Sequence, residues 1–189
     1  LGMAVVRADP ELMVYMILSG VFSIVASVVF ITISFGTDMF FALVGEGGDE
    51  VTLSAINMVI TFFGYLVIGV ITVFWNAAII ASAYERLTTG KNPSFSYGIG
   101  QAMKCLPQIF VWGIVSATVG IILRALEGMA ENAKFPANIV PLILIALLGA
   151  AWWVVTFFVV PIIVLEKAGV MDCFKRSPEL FKKTWTEDI

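Results

Sequence analysis

The chain has 189 residues, 60% of them hydrophobic and 13% charged, with a mean hydropathy of +0.99. Soluble domains carry about a quarter charged residues, so this composition excludes an ordinary soluble domain and marks a membrane protein. The net charge of −3 leaves no nucleic-acid footprint. The absence of histidine removes the commonest metal and haem ligand and the usual proton shuttle.

A membrane-spanning helix needs roughly 20 mostly apolar residues. Four stretches meet that length, at about 12–35, 55–83, 105–123 and 139–165. None carries a charged residue in its interior, and backbone groups in hydrocarbon must satisfy themselves, so all four are predicted helices. The first is too long for a cleaved signal peptide, and no small-residue cleavage site follows it. It opens with Asp9-Pro10-Glu11-Leu12, where proline suits the first helical turn and the acids favour the helix dipole. The chain is expected to form a single transmembrane domain over 1–189.

Charge sets the orientation. The loop after the first span holds Asp38, Glu46, Asp49 and Glu50 without a basic residue. All but two of the eleven basic residues, Arg124 and Lys134, fall on the other side of the membrane. The positive-inside rule therefore predicts cytosolic N and C termini. Cys105 and Cys173 then face the cytosol, where reduced thiols are expected.

Every span carries small residues at close spacing: Ser19, Ser23 and Ser27; Ala77 and Ala81; Gly113 and Ala117; Ala146 and Ala150. Such faces let membrane helices approach closely, within one chain or between chains. Tyr15 and Tyr84 suit an interfacial aromatic belt. Trp75 and Asn76 lie inside span two, and Trp152, Trp153 and Thr156 lie near the middle of span four. Asn76 needs a polar partner, which a neighbouring span would supply. The alternative is a polar patch on a cavity walled by the tryptophans.

Glu85-Arg86 and Glu166-Lys167 close spans two and four on the basic side. They form interfacial ion pairs or, in a functional reading, a cytosolic gate or docking site. Ala78-Ile79-Ile80 before Glu85 echoes Pro161-Ile162-Ile163 before Glu166, which suggests a parallel repeat. Pro161 predicts a kink one turn back, at Phe157. Beyond it, Val170, Phe174, Ser177, Phe181 and Trp185 recur at helical spacing, with Lys175, Arg176, Lys182 and Lys183 mostly off that stripe. The pattern predicts an amphipathic helix over about 168–185, its apolar face in the headgroup layer and its basic residues on the membrane surface. Ser177-Pro178-Glu179-Leu180 resembles the opening of span one, so a fresh helix is expected at Pro178 with Ser177 as its N-cap.

Catalytic motifs are missing. HExxH and GxSxG do not occur, and Thr88-Thr-Gly-Lys-Asn92 lacks the first glycine and the final hydroxyl of a phosphate loop. No enzyme, cofactor or metal is expected.

Three stretches together resemble a group of uncharacterised prokaryotic multi-span membrane proteins, a domain of unknown function. They are Arg7-Ala-Asp-Pro-Glu-Leu12, Tyr84–Pro93 with Gly90-Lys91, and Trp152–Trp185 with its Val-Pro, Lys-Arg-Ser and Leu-Phe-Lys-Lys-Thr-Trp elements. The resemblance implies a location in the prokaryotic cytoplasmic membrane, a parent chain that continues into one or two further spans, and no assigned activity.

The expectation is an all-α, polytopic membrane helix bundle of four spans, followed by a cytosolic interfacial amphipathic helix. Its expected role is a non-enzymatic scaffold or accessory subunit. The expected partners are the lipid bilayer and either a second copy, giving a homo-oligomer, or another membrane protein. The alternative role is a channel or carrier for a lipid-like or apolar small molecule.

Overall fold

The computed structural model describes residues 10–44, 50–131 and 139–186, and no strand occurs among them. The helices are α1 (Pro10–Val44), α2 (Glu50–Thr89), α3 (Phe95–Lys104), α4 (Leu106–Glu131), α5 (Ile139–Thr156), α6 (Val159–Glu166) and α7 (Val170–Thr186). Four stretches are long and apolar enough to cross a membrane: Leu12–Leu43, Ala55–Thr89, Leu106–Ala130 and, across α5 and α6, Ile139–Glu166. The fold is the expected all-α, four-span bundle. Arg7 and Lys134 lie outside the described residues.

The first two helices are longer than a bilayer core is thick. At 1.5 Å per residue, α1 and α2 are about 50 and 60 Å long, against a hydrocarbon core of about 30 Å. Thr37, within the apolar stretch of α1, returns its hydroxyl to the Ile33 carbonyl at 2.8 Å and so satisfies its polar group on its own helix.

α2 is the central strut. It packs on α1, α3, α4 and α6, while α7 lies across α5 and α6. α1 runs antiparallel along α2. Tyr15 meets Ser82, Phe22 meets Trp75, Phe30 covers Gly64 and Asp38 meets Asn57. The buried core gathers toward the end that carries most of the basic residues, here the basic end. It joins Leu12, Tyr15, Ala78, Ala102, Ile109, Ile163 and Cys173.

Tyr15 is a core residue rather than a member of an interfacial belt. It is 0% exposed, its ring stacks on Phe95 at 4.8 Å, and its hydroxyl donates to the Phe95 carbonyl at 2.7 Å. A buried acceptor meets the phenol's polar need, so the ring has no reason to seek water. The same node explains Gly98. A Cβ there would lie 2.4 Å from the Tyr15 hydroxyl, 2.5 Å from Ser82 Oγ and 2.9 Å from the Ala78 carbonyl oxygen.

The kink forms where Pro161 predicts it. α5 stops at Thr156 and α6 starts at Val159, because the proline ring clashes with the Phe157 carbonyl. Phe157 N–H turns to the Val154 carbonyl, three residues back, at a long 3.4 Å, and Phe158 N–H leaves the ladder. Ser177 Oγ accepts that freed N–H at 3.1 Å.

This contact corrects two expectations about the tail. No helix starts at Pro178: α7 runs unbroken from Val170 through Pro178, and Ser177 is 0% exposed. Ser177 serves the kink of span four instead of capping its own helix. The apolar stripe of α7 is also covered by protein, not by the headgroup layer. Val170, Cys173 and Ser177 are buried, and Phe174 and Phe181 are half-buried with rings against Trp112, Trp152, Phe157 and Phe158. The side chain of Trp185 lies outside the described residues.

Gly98→Ala is expected to destabilise the fold by about 1–3 kcal/mol through overpacking. Gly120→Ala, where a Cβ meets nothing within 4 Å, serves as the neutral control. Thermal unfolding in detergent, followed by circular dichroism, checks both, and equal melting curves for the two variants would refute the close approach. Ser177→Ala strands a partly buried N–H and should cost about 1–3 kcal/mol in the same assay. A wild-type curve for that variant would remove the proposed role of Ser177 in the kink.

Candidate functional site

Three elements converge on a polar cleft at the basic end. The last turns of α2 supply Ala81, Tyr84 and Glu85, α3 supplies Tyr97 and Gln101, and the end of α6 supplies Val164, Leu165 and Lys167. The cavity is about 160 Å³.

Local rules place each wall. Gly90, at φ +69°, ends α2 and returns its N–H to the Arg86 carbonyl at 3.0 Å. This left-handed stop is what Thr88–Asn92 encodes. The chain then turns through buried Pro93, and α3 folds back beside α2. α3 ends at Lys104 because Pro107 cannot donate an N–H to the Met103 carbonyl. Lys167 ends α6 in the left-handed conformation, at φ 52° and ψ 30°. A non-glycine residue held there costs about 1–2 kcal/mol, so the turn is held by its surroundings.

Tyr97 donates its hydroxyl to Glu85 Oε2 at 3.0 Å. Burial raises the Tyr97 pKa above its ordinary value of 10.0, the hydrogen bond to Glu85 and its charge raise it further, and Gln101 opposes the shift in part. The phenol therefore stays a neutral donor at physiological pH. Among the described residues no ion pair joins Glu85 to Lys167, although both line the cleft.

The sequence singled out four residues for a gate or docking site, and the structure divides them. Glu85 and Lys167 share the cleft. Arg86 donates to Asn92 Oδ1 at 3.1 Å, and Glu166 pairs with Arg176 at the exposed surface. Lys175, Lys182 and Lys183 are exposed on α7, as is Arg176.

Trp75 and Trp152 border one core cluster but meet different rings. Trp75 rests among Tyr15, Phe22 and Phe74, while Trp152 stacks on Trp112 at 5.8 Å and meets Phe174. Trp153 is 59% exposed beside Phe157, and Thr156 returns its hydroxyl to the Trp152 carbonyl of its own helix. Asn76 is exposed on the outer surface of α2. No described cavity has these residues as shared walls.

Tyr97 and Gln101 were missed with α3 itself. The signal was present: Phe95, Ile99 and Ala102 recur at i, i+4 and i+7 after Pro93-Ser94. A short amphipathic stretch between two spans is easily passed over as a loop.

Away from the basic end, two apolar crevices open sideways. One, of about 350 Å³, lies between α1 and α2 and includes Ser27, Phe30, Gly64 and Tyr65. The other, of about 550 Å³, lies between α2 and α4 and includes Met58, Phe62, Thr118 and Ile122. Arg124 donates to the Tyr65 hydroxyl at 3.0 Å between these helices.

Residues 55–189 match the family described as "Family of unknown function (DUF6159)". The chain belongs to that family. The DUF6159 match takes in α3 to α7 and nearly all of α2, and so includes every wall of the cleft. No curated protein and no solved structure matches the chain.

The raised Tyr97 pKa sets a pH window. The folded state holds the phenolic proton more tightly than the unfolded chain, so this bond's contribution is constant below pH 10 and falls as pH rises through the folded value. Ultraviolet titration of the wild type minus Tyr97→Phe is expected to isolate a phenol with a midpoint above 10. A midpoint at or below 10 would contradict the buried bond to Glu85.

Proposed function

We propose that this chain is a non-enzymatic membrane scaffold or accessory subunit. In this reading it sits in a prokaryotic cytoplasmic membrane with its basic end in the cytosol. It packs through the open face of α2 against a second copy or another membrane protein. The observation that carries the reading is Asn76. Its side chain points out of the bundle, nine residues before Glu85 and hence about 13 Å into the apolar stretch. It has no hydrogen-bond partner among the described residues. An unpaired amide facing hydrocarbon is costly, and a neighbouring helix satisfies it.

The residues around Asn76 fit such a neighbour. Gly69 and Thr72 lie on the same line of α2, and a Cβ added at Gly69 would meet nothing within 4 Å. Small residues beside a polar one are the usual composition of a membrane helix contact. The two lateral crevices favour a second reading, a carrier for a lipid-like molecule, because an acyl chain could fill either.

Native mass spectrometry of the protein extracted gently from its own membrane separates these readings. The scaffold reading expects a defined complex that Asn76→Leu weakens about 3–30-fold, the range for one interhelical membrane hydrogen bond. A complex that survives Asn76→Leu unchanged would sink the assignment to this face. A bare monomer carrying a bound lipid would favour the carrier.

A further inference from the structure

The cleft at the basic end presents opposite charges that do not pair with each other. Glu85 has one carboxylate oxygen engaged by a neutral donor, Tyr97, and keeps capacity for more hydrogen bonds. Lys167 is placed on the same cleft by the left-handed turn that ends α6. The neighbouring charges are committed elsewhere, Glu166 to Arg176 and Arg86 to Asn92.

A simple anion would be drawn to Lys167 and repelled by Glu85, and a simple cation would meet the reverse. A ligand carrying both charges satisfies both walls. We propose that this cleft binds a zwitterion with a primary ammonium and a phosphate, the chemistry of a phosphoethanolamine head group. The ammonium sits on Glu85. The phosphate sits on Lys167, with the Gln101 amide as a further donor. Ala81, Val164 and Leu165 form an apolar floor for the short carbon link. The volume, about 160 Å³, is that of roughly five waters and suits a group of this size. The cleft also lies at the ends of two apolar helices, Ala55–Thr89 and Ile139–Glu166, the level at which lipid head groups sit. The inference stands independently of the scaffold reading, since it concerns a different face of α2.

The test uses the full chain in detergent and isothermal titration with three probes: dihexanoyl phosphatidylethanolamine, dihexanoyl phosphatidylglycerol and O-phosphoethanolamine. The ethanolamine lipid is expected to bind at least ten-fold more tightly than the glycerol lipid. Glu85→Gln and Lys167→Asn are each expected to weaken it at least ten-fold. Both variants are chosen to fold: glutamine still accepts from Tyr97, and asparagine tolerates the left-handed conformation. Lys175→Gln, on exposed α7, should bind as the wild type does. Binding of the lipid without O-phosphoethanolamine identifies a membrane head group. Equal binding of both identifies a soluble zwitterion at the same site. Equal affinity for the two lipids, wild-type affinity in both variants, or no binding of any probe overturns the proposal.

Discussion

The bundle depends on a close approach of backbone to backbone at its basic end. α3 can lie against α2 only because Gly98 leaves room for the Tyr15 hydroxyl, Ser82 Oγ and the Ala78 carbonyl within 3 Å of where a Cβ would stand. Tyr15 then ties α1 to the same point through the Phe95 carbonyl. Three helices are fixed by one hydroxyl and one missing methyl group. The cleft follows from that placement, because α3 carries Tyr97 toward Glu85 and sets one wall opposite Lys167. In an apolar solvent the hydrophobic effect does not drive helices together, so close packing and buried hydrogen bonds carry the specificity.

The second constraint is that every backbone group inside an apolar span needs a partner. Pro161 breaks the ladder and frees Phe158 N–H, and Ser177 of α7 takes it up. α7 is thereby joined to span four by a polar bond as well as by the rings of Phe174 and Phe181. The tail helix is a structural member of the bundle. Its lysines Lys175, Lys182 and Lys183 lie on the exposed side, which matches the amphipathic pattern without requiring the apolar stripe to be in lipid.

Much of this was legible in the residues, and the failures have definite physical causes. The four spans follow from apolar length, and the kink follows from a single proline. The described part of α1 runs from Pro10, within Asp9-Pro10-Glu11-Leu12, and Asp9 lies outside the described residues; the similar Ser177-Pro178-Glu179-Leu180 lies within α7. The capping preference of Ser177 is real in sequence terms. At Ser177 a distant N–H outcompetes it, and no local pattern records that partner. Tyr15 shows the same limit, since belt and core tyrosines have identical side chains and differ only in whether an acceptor is buried nearby. The echo between Ala78–Glu85 and Pro161–Glu166 has a tertiary meaning: the two segments meet in the core, and their ends supply Glu85 and the adjoining Lys167 to one cleft. The tryptophans pack instead of walling a shared cavity, because each finds its own ring partners, Trp75 in Tyr15, Phe22 and Phe74, and Trp152 in Trp112 and Phe174.

The close approach at Gly98 and the core lie at the basic end, whereas the two apolar crevices lie away from it. Pulsed electron paramagnetic resonance of the purified chain in nanodiscs tests this asymmetry most directly, with label pairs at Met13 and Met103 and, separately, at Leu43 and Met129, all exposed positions. Cys105 and Cys173 are buried and can stay in place. A narrow distance distribution is expected for the first pair and a broad one for the second. Equally narrow distributions at both ends would contradict it.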